Sequence, residues 1–192
     1  MPKLMLVVSA ELKNIVILQP EDGSDDEKIN YYFKLECEHC GWVCENEAYV
    51  SINVKEKPTG NRRNDNLNLS RNMGNMICHG CESHGKISLI LGHGAPLSQN
   101  HCTEVDLMLF NCDGLLHVEY SFNGGWLAIT IHFYKHNFYH FYPHVTSGFS
   151  IFFFQTFGQV IHIDFVGREY RNVIDGEEVT ITNLEAKFVP KG

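Results

Sequence analysis

The chain has 192 residues, 44% hydrophobic and 20% charged, enough to bury a core and too apolar for a disordered tether. Its 15 basic against 23 acidic side chains leave a formal charge of −8, which argues against nucleic acid or an anionic membrane surface as partner. No run approaches the ~20 apolar residues of a membrane span, and MPKLMLVVSAELKN offers no cleavage site, so a soluble protein of the cytoplasm, with the nucleus also open to it, is expected.

Leu4 to Leu18 is apolar and β-branched with polar interruptions, and predicts a strand. Pro20 to Ser24 then supplies a turn into an acidic loop ending at Glu27. Tyr31 to Cys37 places Tyr31, Phe33, Leu35 and Cys37 on one face and Tyr32, Lys34 and Glu36 on the other, the period of a half-buried strand. Ala48 to Val54 alternates likewise. Lys55 to Asn75 is rich in Asn, Arg, Gly and Pro and predicts a long loop. Strand signals return at Lys86 to Leu91, Val105 to Phe110, Leu115 to Phe122 and Val179 to Val189. Helical three-four spacing is missing, so the expected fold is all-β with at most a few short helical turns. One stretch departs from its surroundings: from Ala128 to Ile163 there is no Asp or Glu, one Lys, and 11 of the chain's 23 aromatic residues.

Seven cysteines are present, and four form two pairs, Cys37-Glu38-His39-Cys40-Gly41 and Cys78-His79-Gly80-Cys81. A two-residue spacer turns both sulfurs of a pair to one side, and two such turns facing each other build a tetrahedral S4 cage suited to Zn2+. Gly41 and Gly80 offer the permissive backbone angles such turns use. Backbone amides, with Lys34 or Lys86, are the expected counterweight to the excess thiolate charge. The spacer from Gly41 to Ile77 is longer than the ~15 to 20 residues of a compact zinc ribbon, so it must hold a hairpin and loop of its own. Four thiolates close the metal shell, which points to a structural site rather than a catalytic one; iron or a redox dithiol are the alternatives. His39 and His79 are expected as exposed loop residues, and Cys44, Cys102 and Cys112 as small hydrophobes. His132, His136, His140 and His144 recur every four residues, but the strand-favouring aromatics around them and Pro143 argue against a second metal site. Arg62, Arg63 and Arg71 fit a solvated tether. No phosphate-binding Gly loop, nucleophile elbow or Ser/His/Asp set occurs.

The segments KLMLVVSAELKNIVILQP, YYFKLECEHCGWV, ICHGCESHGKISLILGHGAPL, LMLFNCDGLLHVEYSFNGGW and EYRNVIDGEEVTITNLEAKFV resemble, in that order, the eukaryotic CXXC-motif-containing zinc-binding protein family. The resemblance implies one domain of two intertwined β halves, about 1–95 and 96–192, joined by a single Zn2+ on Cys37, Cys40, Cys78 and Cys81, with no catalytic activity. Two departures stand out. Cys112-Asp113-Gly114 replaces the family's Cys-Arg-Gly, and residues 129–157 are expected to be an aromatic insertion outside the family's core, for which an unspliced intron is the hypothesis. The expected function is a monomeric, non-enzymatic module that presents a zinc-locked surface to a protein partner; the alternative is a thiol-dependent redox or metal-transfer protein using a CxxC pair.

Overall fold

A computed structural model describes residues 2–24, 29–51, 68–70, 74–99, 104–134 and 154–192. Among them there are strands and turns and no helix. The strands are β1 (Lys3–Lys13), β2 (Ile15–Pro20), β3 (Tyr31–Cys37), β4 (Ala48–Ser51), β5 (Asn68–Ser70), β6 (Gly74–Ile77), β7 (His84–Ile90), β8 (Leu97–Ser98), β9 (Val105–Asp113), β10 (Leu115–Ser121), β11 (Trp126–Tyr134), β12 (Phe154–Ile163), β13 (Tyr170–Ile174) and β14 (Glu177–Lys191).

They form a six-stranded sheet, β13-β14-β1-β9-β7-β6, and two four-stranded sheets, β10-β3-β4-β5 and β12-β11-β2-β8. Every sheet takes strands from both sides of residue 96, so the two stretches of chain are interlaced. The pairing of β1 with β14, from Lys3↔Lys191 to Lys13↔Thr180, ties the first and last strands together.

The expected single strand from Leu4 to Leu18 is in fact two. Asn14 takes a φ of +57°, a left-handed conformation that Asn tolerates better than most residues, and its Nδ2 donates to the Glu178 carbonyl. The reversal sends β1 into the six-stranded sheet and β2 into another. The expected loop from Lys55 to Asn75 also contains structure: β5 pairs in parallel with β4, and β6 pairs with β7. Residues 52–67 and 71–73 lie outside the described set.

The period-two reading of β3 holds. Tyr31, Phe33, Leu35 and Cys37 are buried while Tyr32, Lys34 and Glu36 are half-buried. Phe110 on β9 meets Tyr31 and Phe33 edge-on, both at 5.7 Å, and Leu6, Leu107 and Trp126 extend this core across the sheets. Of the stretch 129–157, residues 129–134 complete β11 and 154–157 begin β12, while 135–153 lie outside the described residues.

Candidate metal centre

Each Cys-x-x-Cys pair sits at a hairpin tip, and the two tips repeat one hydrogen-bond pattern. In the first, Cys37 ends β3, its N–H donates to the Trp42 carbonyl at 2.9 Å, and Gly41 N–H donates back to the Cys37 carbonyl at 2.9 Å. In the second, between β6 and β7, Cys78 N–H donates to the Ser83 carbonyl and Glu82 N–H to the Cys78 carbonyl, again both at 2.9 Å. Residues 37–42 and 78–83 are thus equivalent, position for position. The fifth position must be left-handed: Gly41 has φ +71° and Glu82 has φ +58°. Gly80 does not serve as the permissive angle expected of it. Its role is steric, since a Cβ there would lie 3.1 Å from both Cys40 Sγ and Trp42 Cβ.

The β9–β10 hairpin brings the tips together. β10 pairs Leu115 with Cys37, β9 pairs Asp113 with Lys86, and the carbonyl of Gly114 between them accepts the Glu38 N–H at 3.2 Å. One hairpin thereby runs from the sheet holding the first knuckle into the sheet holding the second.

The result is a cluster in which the sulfurs of Cys37, Cys40, Cys78 and Cys81 all lie within 4.8 Å of one another. Across the tips, Cys37 and Cys81 are 3.8 Å apart and Cys40 and Cys78 are 3.5 Å apart. Cys37 and Cys78 are buried; Cys40 and Cys81 face solvent.

Amide donors meet the sulfurs as the excess negative charge requires. Gly80 N–H donates to Cys78 at 3.3 Å. The Ser83 hydroxyl lies 3.3 Å from Cys37 Sγ and 3.0 Å from Cys81 Sγ. That hydroxyl, with the amides of Cys40 and His39, favours the Cys37 thiolate and brings its pKa down to about 6. The hydroxyl and amide of Ser83 lower Cys81 as well. At Cys40 the Trp42 amide favours the thiolate, but desolvation and the adjacent sulfurs outweigh it and push the thiol up to about 12. Four negative sulfurs this close resist full ionisation, and a divalent cation relieves that conflict by displacing the remaining protons. Lys34 is not the expected counterweight, because its ammonium is engaged by Glu119 at 2.9 Å.

Cys44 is buried in the core, and Cys112 is buried with its sulfur 3.5 Å from His117 Nδ1; neither joins the cluster. His39 and His79 are exposed, with the His79 ring against Trp42 at 5.4 Å. Cys102, Arg62, Arg63, Arg71, His136, His140 and His144 lie outside the described residues, as does the side chain of His132. Sequence reasoning missed Ser83 and Trp42. The signal was there: CEHCGW and CHGCES align position for position, which marks the sixth residue of each knuckle as its closing carbonyl. A separate cavity of about 230 Å³ is lined by Lys34, Glu47, Glu119, Asn123, Phe165 and Arg168 and by none of the four cysteines.

The family model described as "CXXC motif containing zinc binding protein, eukaryotic" matches residues 5–141. Among solved structures, the fold is similar to "Crystal Structure of C1orf123", with a TM-score of 0.65 at 18% identity, covering 97% of this chain and 98% of that one. It is also similar to "Hypothetical protein from plasmodium falciparum", with a TM-score of 0.62 at 12% identity, covering 98% of this chain and 100% of that one. No curated protein matches the chain.

Proposed function

The chain belongs to the eukaryotic CXXC-motif-containing zinc-binding family, and from that premise we propose that Cys37, Cys40, Cys78 and Cys81 hold one structural Zn2+ that locks the interlaced sheets into a docking surface for another protein. The observation that carries this reading is the convergence of four sulfurs from two distant hairpins. A tetrahedron with Zn–S bonds of about 2.3 Å has edges of about 3.8 Å, against the 3.8 Å and 3.5 Å separations here. Zinc suits the set because it is borderline-soft and without a ligand-field preference, so the protein can impose the tetrahedron.

The role is non-enzymatic. Four thiolates leave no open position for a water or substrate, and the buried halves of the two pairs are held on strand ends rather than at a helix start. The six described cysteines are free of disulfides, in keeping with a reducing compartment such as cytoplasm or nucleus. The partner is a protein rather than nucleic acid, given the charge of −8, and the chain acts as a monomer. No helix among the described residues is long and apolar enough to cross a membrane.

Metal analysis of the purified protein tests the site: one zinc per chain is expected, falling to near zero in Cys78→Ala. Structural zinc in finger peptides is worth on the order of 10 to 16 kcal/mol, comparable with the ~5 to 15 kcal/mol of whole-domain stability, so Cys78→Ala should also melt the β6–β7 hairpin. Unchanged zinc content in that variant would refute the assignment.

One observation favours a second reading, metal transfer: Cys40 and Cys81 are exposed. Thiol titration with and without chelator separates the two. Thiols that react in the zinc-loaded protein without chelator favour exchange; thiols silent until the metal is stripped favour a static clamp.

A further inference from the structure

The two hairpin tips do not shield their sulfurs equally. Within each pair the first cysteine, Cys37 or Cys78, is 1% exposed, whereas the second, Cys40 or Cys81, faces solvent. The asymmetry follows from the fold. Cys37 closes β3 opposite Leu115, and Cys78 lies next to β6, whose last residue, Ile77, pairs with His84. The second cysteines stand on the turns themselves, where no strand among the described residues covers them. Each buried sulfur neighbours an exposed one from the other tip, Cys37 with Cys81 and Cys40 with Cys78.

Two further features belong to the open side. Gly80 lies against Cys40, where a Cβ would come within 3.1 Å of that sulfur. Ser83 places its hydroxyl 3.0 Å from Cys81 Sγ, near enough to hydrogen-bond that sulfur when it leaves the metal.

From this arrangement, and resting on the zinc assignment above, we propose that Cys40 and Cys81 are the exchange ligands of the site: an incoming thiol of low molecular weight attacks the metal from their side, while Cys37 and Cys78 keep hold of it. The step balances without an oxidant. The thiol's sulfur forms a new bond to zinc, the bond from zinc to Cys81 or Cys40 breaks, and the proton released by the incoming thiol ends on the departing cysteine. Repetition at the second exposed ligand leaves zinc on two buried and two external sulfurs, a state from which it can be passed on.

The test uses the full chain loaded with zinc, its metal content measured first. Limited alkylation with N-ethylmaleimide, mapped by peptide mass spectrometry, should modify Cys40 and Cys81 at least tenfold faster than Cys37 and Cys78. Zinc release from the wild-type chain to a chromogenic indicator should be at least threefold faster under millimolar reduced glutathione than without thiol. Equal alkylation of all four cysteines, or Cys37 and Cys78 reacting first, overturns the proposal. So does a release rate that glutathione leaves unaltered. A wild-type chain that carries no zinc overturns the site assignment itself and the exchange route with it.

Discussion

His117 is the residue with the largest unused chemistry. Its ring stacks on Phe188 at 4.5 Å, meets Phe33 edge-on at 4.3 Å, and leaves Nε2 without a hydrogen-bond partner among the described residues. Burial makes the imidazolium costly and pushes the pKa down to about 3. The unfolded chain, with its histidine near 6.5, takes up a proton that the native state refuses. Stability from this group is therefore complete above pH 6.5 and is lost as the pH falls toward 3, at about 1.4 kcal/mol per unit. Between pH 7 and 5 the wild type should lose about 2 kcal/mol more than His117→Leu. Denaturant unfolding of both proteins across that range checks this; the acid sensitivity of the metal site is common to both and cancels in the difference. Parallel pH slopes would refute it. Nothing in the sequence singled out His117, because burial of a lone histidine depends on strands far away in the chain. The clustering of Cys37, Cys40, Cys78 and Cys81 was legible for the opposite reason: the spacing within each pair is local. Gly41 was legible too, but not Gly80, whose constraint comes from Cys40 and Trp42 on the other tip.

At the scale of elements, the β9–β10 hairpin aligns the two knuckles, and its grip on β7 is close. A Cβ at Gly85 would lie 2.3 Å from Leu115 Cγ, inside any real contact, and Leu115 is buried opposite Cys37. Gly85→Ala should therefore destabilise the fold by roughly 1 to 3 kcal/mol through overpacking. Leu115→Ala alone should cost roughly 2 to 5 kcal/mol, and the double variant should cost less than the sum, because the new methyl enters space the leucine vacates. Chemical denaturation of the four proteins measures the coupling; strictly additive losses would show that the two side chains do not compete. The same logic explains which elements could be read in advance. β3 shows its period because one face is buried and the other half-buried. β11 and β12 belong to the stretch without acidic residues, where no alternation marks a solvent face. β5 and β6 are short and lie in Asn-rich text, and their pairing with β4 and β7 outweighs that composition.

The whole molecule is organised by long-range pairing. β1 lies between β14 and β9, and β2 between β11 and β8, so no contiguous stretch of chain completes a sheet by itself. Such a topology makes the four-cysteine cluster and the outermost strands interdependent, and makes it possible to ask which residues the fold can spare. We propose that the aromatic stretch is dispensable in its middle. β11 and β12 run antiparallel in a register that ends at Tyr134↔Phe154, which places their ends side by side, at a separation that a two-residue turn can span. Residues 135–153 can then be replaced by Asn-Gly without disturbing Ala128↔Ile161 or the pairing of β11 with β2. The expected outcome is a monomer with one zinc per chain and a thermal midpoint no lower than that of the full chain. Loss of zinc, or a midpoint lower by more than a few degrees, would refute the dispensability of residues 135–153.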